Sequence, residues 1–215
     1  MSKKDFNIVF ISSYICGGKS FIGEMAGIEL GYPTIEVSSI VKEIMGESDR
    51  DRIISKDITN ELCHRLAVQI LFNTPLHKGI IVIGLRELNI FDKIVSHIKN
   101  VSSGAIISNG QIGLECIVNF HLNSIWIEVP RYIRELRYTD RNRIEDRNIS
   151  FKDADNSDAF LGIDELRDKF IRPICITPQH YFISSKLNDS THMSANVHNS
   201  IQLEISELLI KKEDL

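Results

Sequence analysis

Residues 6–20 read FNIVFISSYICGGKS, and this stretch decides the fold. The run from Phe6 to Ile11 is apolar and rich in β-branched residues, the pattern of a fully buried strand. It breaks into a loop of small residues ending Gly17-Gly18-Lys19-Ser20. Beyond the loop, Phe21, Ile22, Met25, Ala26 and Leu30 recur at roughly helical spacing, so the loop opens onto a helix N-terminus. Strand, loop and helix in that order form an anion site. Unpaired N–H groups at the helix start face the ligand, the macrodipole favours negative charge, and glycines let the backbone approach closely. Phosphate is therefore expected along Ser13, Cys16, Gly17, Gly18, Lys19, Ser20 and Phe21, with Lys19 supplying a mobile cation to the β/γ-phosphates and Ser20 a hydroxyl for Mg²⁺.

The stretch departs from the Walker A pattern G-x-x-x-x-G-K-[ST] at one position, Ser13 standing where the first glycine belongs. The Gly17–Gly18 pair can carry the unusual backbone angles instead. A bare GGKS also fits a surface turn before a helix; the buried strand and amphipathic helix on either side favour the phosphate loop.

Further along, the same alternation continues. Thr34–Val37 is a short strand that delivers Glu36 to its C-terminal end, and Ser38 and Ser39 are candidate caps for the helix after it. Glu47 to Arg52 reads as an exposed turn, and about Lys56 to Phe72 as a long helix. Gly79–Ile83 is a second buried strand ending in Gly84-Leu85-Arg86-Glu87, and a helix carries Ile90, Ile94 and Ile98. Residues 101–123 fit a hairpin or a loop crossing. Ser124–Val129 is a strand, Phe151 to Phe170 two short helices around Gly162, Tyr181–Ser184 a last strand, Asn188 to Ser190 a turn and Ile201–Ile210 a closing helix. Strands alternating with helices imply βαβ units, hence an α/β fold of three layers with a parallel central sheet and helices on both faces.

The chain has 215 residues, room for one domain over 1–215, and its net charge of −4 offers no broad basic surface for nucleic acid. Cys16, Cys63, Cys116 and Cys175 are scattered without metal-ligand spacing and read as reduced, mostly buried thiols, Cys16 standing apart by its place in the loop. No apolar run approaches a membrane span, and the reading is of a cytoplasmic protein without membrane contact. No residue pattern specifies an oligomeric state.

A second constellation lies between Arg131 and Arg147, where six arginines occur and no lysine. Arg134, Arg137 and Arg141 fall at i, i+3 and i+7, on one face of a helix, with Arg143 just beyond. A mixed set would read as a solvated helix face. An all-arginine set favours phosphate, because guanidinium gives a rigid bidentate fork where ammonium gives a point charge.

The order of these pieces resembles the P-loop nucleotide kinases, above all the dephospho-CoA kinase and adenylate-kinase-like branch. GYPTIEVSSIVKEIMG resembles that branch's stretch after the first helix, IVIGLRE its V-x-D-G-x-R, and WIEVPRYIRELRYTDRNRIED its strand followed by an arginine lid. DNSDAFLGI resembles the acidic stretch after the lid, and HYFISSKLNDS the last strand, whose following loop packs near the adenine. The resemblance implies a lid over about residues 137–165, Arg137 and Arg141 on the transferring phosphoryl, and Arg86 and Arg143 on the acceptor; the simpler role of Arg86 would be to pair with a nearby acid. Ile83 departs from it, replacing an aspartate that helps hold Mg²⁺ through water. Glu36 aligns with the family's first aspartate and is the remaining carboxylate for accepting a hydroxyl proton or orienting metal-bound water. Its simpler role would be to answer the dipole of the helix it precedes.

The sequence thus points to an ATP- and Mg²⁺-dependent kinase acting on a small nucleotide or nucleoside-like acceptor. A nucleoside monophosphate, a dephospho-coenzyme and a hydroxymethylated base all fit, the last even within modified DNA, which the acidic charge disfavours. Ser13 and Ile83 also suit a nucleotide-binding regulator with little or no turnover. A structural domain with an accidental GGKS would leave the arginines and Glu36 without a purpose.

Overall fold

The computed structural model describes residues 2–46, 56–101, 105–109, 114–145, 150–170 and 172–175. Strand β1 (Ser2–Ser12) runs into helix α1 (Lys19–Leu30), followed by β2 (Thr34–Glu36), α2 (Val37–Met45), α3 (Lys56–Asn73), β3 (Gly79–Ile83) and α4 (Leu88–Val101). Then come β4 (Ala105–Asn109), β5 (Leu114–Glu128), α5 (Arg131–Glu145), α6 (Phe151–Phe160), α7 (Ile163–Lys169) and β6 (Arg172–Cys175). Among these residues the strands form one six-stranded sheet in the order β2-β3-β1-β5-β4, with β6 also pairing β5. All pairings are parallel except that of β4 with β5.

Side-chain alternation along β1 explains why its run is apolar on both faces, Asn7 apart. Phe6, Ile8 and Phe10 join Ile80, Val82 and Trp126 under α2, α3, α4 and α7, whereas Val9 and Ile11 join Ile81, Ile83, Ile125 and Ile127 under α1 and Ile133 of α5. Each face needs an apolar partner, and the one polar residue of the run, Asn7, is only half-buried and donates to the Tyr32 hydroxyl at 3.2 Å. The three-layer α/β expectation holds. After β1 the chain turns to the β2 side of the sheet, and after β3 it crosses to the β5 side. The C-terminal ends of β1 and β3 consequently flank a crevice of the kind that binds ligands in open α/β sheets.

The structure corrects several expectations. Residues 105–109 and 114–128 form an antiparallel pair, so the strand read at Ser124–Val129 is the last part of a much longer β5. Its alternation of Asn119, His121 and Asn123 with Val118, Phe120 and Leu122 is the half-buried strand pattern. Helix α2 begins at Val37 with Glu36 at its N-cap, which places Ser38 and Ser39 inside the first turn rather than at the cap. β6 was not anticipated; Pro173 disguises it, and its place on the outer side of β5 is where a strand tolerates proline. Cys63 is a half-buried free thiol rather than a buried one, because it packs only at the core's margin; Cys16, set apart by its place in the loop, is likewise free and half-buried. The readings at 47–52, 181–184, 188–190 and 201–210 lie outside the described residues. Among those described, no helix is long and apolar enough to cross a membrane.

Candidate active site

The loop between β1 and α1 is held from beneath. The Gly84 N–H donates to the carbonyl of Ile11 at 2.9 Å, and the Ser12 hydroxyl donates to that of Leu85 at 2.5 Å, tying the ends of β1 and β3 together. Within the loop the Gly17 N–H closes a turn onto the Tyr14 carbonyl at 3.1 Å, and the Ser13 hydroxyl donates to the same carbonyl at 2.8 Å. A Cβ at Gly17 would collide with the Ser13 side chain, so serine at the first position makes glycine obligatory at the fifth. Left-handed backbone falls on Gly18 (φ 79°), the N-cap of α1, and on Cys16 (φ 57°), not on Ser13. Serine is therefore compatible with this loop, the strain of about 1–2 kcal/mol falling on Cys16 instead.

Lys19 passes over Gly84, where a Cβ would stand 3.3 Å from Cε of the lysine. Its ammonium is pushed down to about 8, first by burial and then by the charge of Arg86, with Arg141 acting in the same direction and Glu36 opposing. A cation so depressed is prepared for an anion that restores its charge. One residue on, the Ser20 hydroxyl donates to Oε1 of Glu36 at 2.7 Å. Glu36 makes no cap bond to α2 although it occupies the N-cap, so its carboxylate is directed to the loop rather than to its own helix. Glu36 and Ile83 are register partners, hence neighbours on the α1 face of the sheet. Ile83 is packed against Gly23 of α1, an apolar plug where the resembling family has an acid. The Phe21 side chain packs into the same apolar cluster, which leaves its backbone as its contribution to the loop.

The arginines divide. Arg134 is only 6% exposed; it donates to Oδ1 of Asp155 at 2.9 Å and to the Val129 carbonyl at 3.3 Å, and it lies 4.7 Å over the Tyr14 ring. Arg131 meets the other oxygen of Asp155 at 3.1 Å. Both join α5 to α6, and Arg134 in addition covers the Tyr14 ring at the start of the loop. Arg137 donates to the carbonyl of Cys16 at 3.2 Å, and Arg141, exposed, is near enough to act on Lys19. Arg143 lies on α5, its side chain outside the described set. Ile15 and Cys16 of the loop pack against Tyr138, Phe151 and Ala154, so α5 and α6 rest on the phosphate loop itself.

Arg86, at the exit of β3, pairs with Asp158 of α6, and Asp158 also accepts the Ile15 N–H at 2.8 Å. Sequence reading placed Asp158 only within an acidic stretch; no spacing rule separates it from Asp153, Asp155 or Asp164. Tyr14 is tied down as well, its hydroxyl donating to Asp164 and its ring edge-on to Trp126 at 5.1 Å. Burial, then Asp164, pushes the Tyr14 hydroxyl up to about 12. Among the described residues no three acidic, histidine or cysteine side chains form a metal cluster. The Ser20–Glu36 pair nevertheless suits Mg²⁺, which takes few protein ligands when phosphates and waters supply the remainder.

Neither a family model nor a curated protein matches the chain. Solved structures do match. A gluconokinase from Sinorhizobium meliloti 1021 superposes with a TM-score of 0.52 at 12% identity, over 90% of this chain and 97% of that one. A shikimate kinase from Acinetobacter baumannii in complex with shikimate gives 0.51 at 15% identity, over 94% and 93%. The YorR protein of Bacillus subtilis in complex with phosphorylated GDP gives 0.50 at 12%, over 97% and 98%. The fold is that of the P-loop kinases.

Proposed function

We propose that this chain is an ATP-dependent, Mg²⁺-requiring kinase that phosphorylates a small nucleotide or nucleoside-like acceptor, in the manner of the dephospho-CoA and adenylate-kinase-like branch. The observation that carries the reading is the Ser20–Glu36 contact beside Lys19, a hydroxyl and a carboxylate joined at the mouth of the phosphate loop. The loop backbone and Lys19 hold the β- and γ-phosphates, and Ser20, with Glu36 acting through water, holds Mg²⁺, which when bound neutralises charge developing on the β/γ oxygens. Arg86 orients the acceptor. An acceptor oxygen attacks the γ-phosphorus in line, the bond to the β–γ bridging oxygen breaks, and ADP leaves. Where the acceptor is a hydroxyl, Glu36 takes its proton. The reading makes the chain one kinase domain with its lid over about residues 137–165, Arg137 already touching the loop and Ile163 anchoring the far end in the main core.

The test is transfer of the ATP γ-phosphoryl to a panel of nucleoside monophosphates, nucleosides, dephospho-CoA and hydroxymethylated DNA. Transfer to a small acceptor supports the proposal. Tight ATP binding with no transfer to any member supports the regulator instead, a reading the buried Ile83 favours. Glu36→Gln should preserve the thermal midpoint, because the Glu36 side chain makes no cap hydrogen bond to α2, while kcat falls about 10²-fold or more, the usual worth of a positioned proton acceptor. A large fall in midpoint with unchanged turnover would make Glu36 a structural residue.

A further inference from the structure

Among the described residues, the carboxylate of α6 that reaches both halves of the site is that of Asp158, which is 1% exposed. Oδ2 accepts the Ile15 N–H of the phosphate loop at 2.8 Å, and Oδ1 carries the ion pair with Arg86 at the exit of β3. Resting on the kinase reading above, we infer that Asp158 is a positioning residue that sets the acceptor-side guanidinium of Arg86 against the donor-side loop, fixing the distance between the two substrates.

Three observations converge on that role. First, a charge this deeply buried is tolerated only with full partners, and both partners here belong to the site rather than to the core. Second, the same turns of α6 are docked independently: Ala154 packs with Ile15 and Cys16, and Asp155 is held by Arg131 and Arg134, so the helix bearing Asp158 is seated against the loop by contacts other than its own. Third, Arg86 acts on Lys19, so the guanidinium that Asp158 holds lies within electrostatic range of the donor lysine. In-line transfer requires the acceptor oxygen to be held close to reacting distance from the γ-phosphorus, and a misplacement of about 1 Å costs on the order of 10²-fold in rate. A bridge from one carboxylate to both sides supplies that constraint without touching either substrate.

The two oxygens can be separated experimentally. Asp158→Asn keeps an acceptor for the Ile15 N–H but loses the charge that pairs Arg86; Asp158→Ala loses both. Expected for Asn is an ATP dissociation constant within about 3-fold of the parent, read from fluorescence of Trp126, the chain's one tryptophan, with an acceptor KM raised at least tenfold and kcat reduced about 10²-fold. Ala should also weaken ATP binding at least tenfold. An unchanged acceptor KM and kcat in the Asn variant would overturn the proposal, as would equal ATP affinities in the two variants. If the parent transfers phosphoryl to no acceptor, the kinase reading falls while the contrast in ATP binding between Asn and Ala still decides the loop half of the proposal. Should both variants fail to fold, hydrogen exchange of the parent decides: protection of the Ile15 amide supports the bond, and rapid exchange refutes it.

Discussion

Lys19→Ala is expected to reduce kcat by about 10²- to 10³-fold, the cost of removing one preorganised donor from a developing charge, and to weaken ATP binding while raising the thermal midpoint. The stabilisation follows from the sign of the shift. Lys19 is held at about 8 in the folded chain, below the ordinary lysine range, because burial and Arg86 disfavour its charged form. The unfolded chain therefore binds that proton more tightly, and the destabilisation from this group builds as the pH falls from about 10.4, the unfolded value, to about 8, and is complete below that. At neutral pH the parent carries this burden and the alanine variant does not. Binding of a triphosphate reverses the balance by giving the ammonium a counter-charge. The parent should then take up a proton on binding ATP at about pH 9, less so below about pH 8, where the free lysine is already charged. Calorimetry in two buffers of different ionisation enthalpy measures the uptake. No uptake in the parent, or an alanine variant that binds ATP as well as the parent, would remove Lys19 from the phosphate site.

The two buried strands at Phe6–Ile11 and Gly79–Ile83 were legible because burial on both faces makes every position but Asn7 apolar, and the phosphate loop because glycine, lysine and hydroxyl must follow one another at a helix start. Glu36 was legible for a similar reason, lying at a strand end where backbone geometry alone delivers it to the crevice. What the arginines do was not. Arg134 and Arg137 share a helical face by spacing, yet one is buried between Asp155, Tyr14 and Phe151 and the other reaches the Cys16 carbonyl. Spacing specifies direction from a helix axis, whereas these roles depend on where α6 docks, a tertiary fact. Asp158 eluded reading for the same reason: its partners, Ile15 and Arg86, are far away in the chain and come together only through the sheet. The length of β5 was hidden by its polar alternate positions, which dilute an apolar run into the weaker signal of a strand with one wet face.

Arg141→Lys is expected to lower kcat about 10²- to 10³-fold with little change in ATP affinity. Arg141 is exposed yet near enough to Lys19 to depress it, whereas Arg134 is buried against Asp155 and Tyr14. Arg137, one helical turn earlier, already donates to the loop and marks how close α5 comes to Cys16. A guanidinium that meets the transferring phosphoryl can be worth about 10³- to 10⁵-fold in rate. Lysine keeps the charge, which serves ground-state attraction, but lacks the planar fork that can bind two equatorial oxygens at once. The loss should therefore appear in kcat and not in the dissociation constant. Addition of ATP together with acceptor should also slow tryptic cleavage after Arg141 in the parent, as that bond becomes covered. Full turnover in the lysine variant, with cleavage at Arg141 unaffected by either ligand, would return Arg141 to a solvated helix face and leave Arg137 as the arginine of α5 that serves the loop.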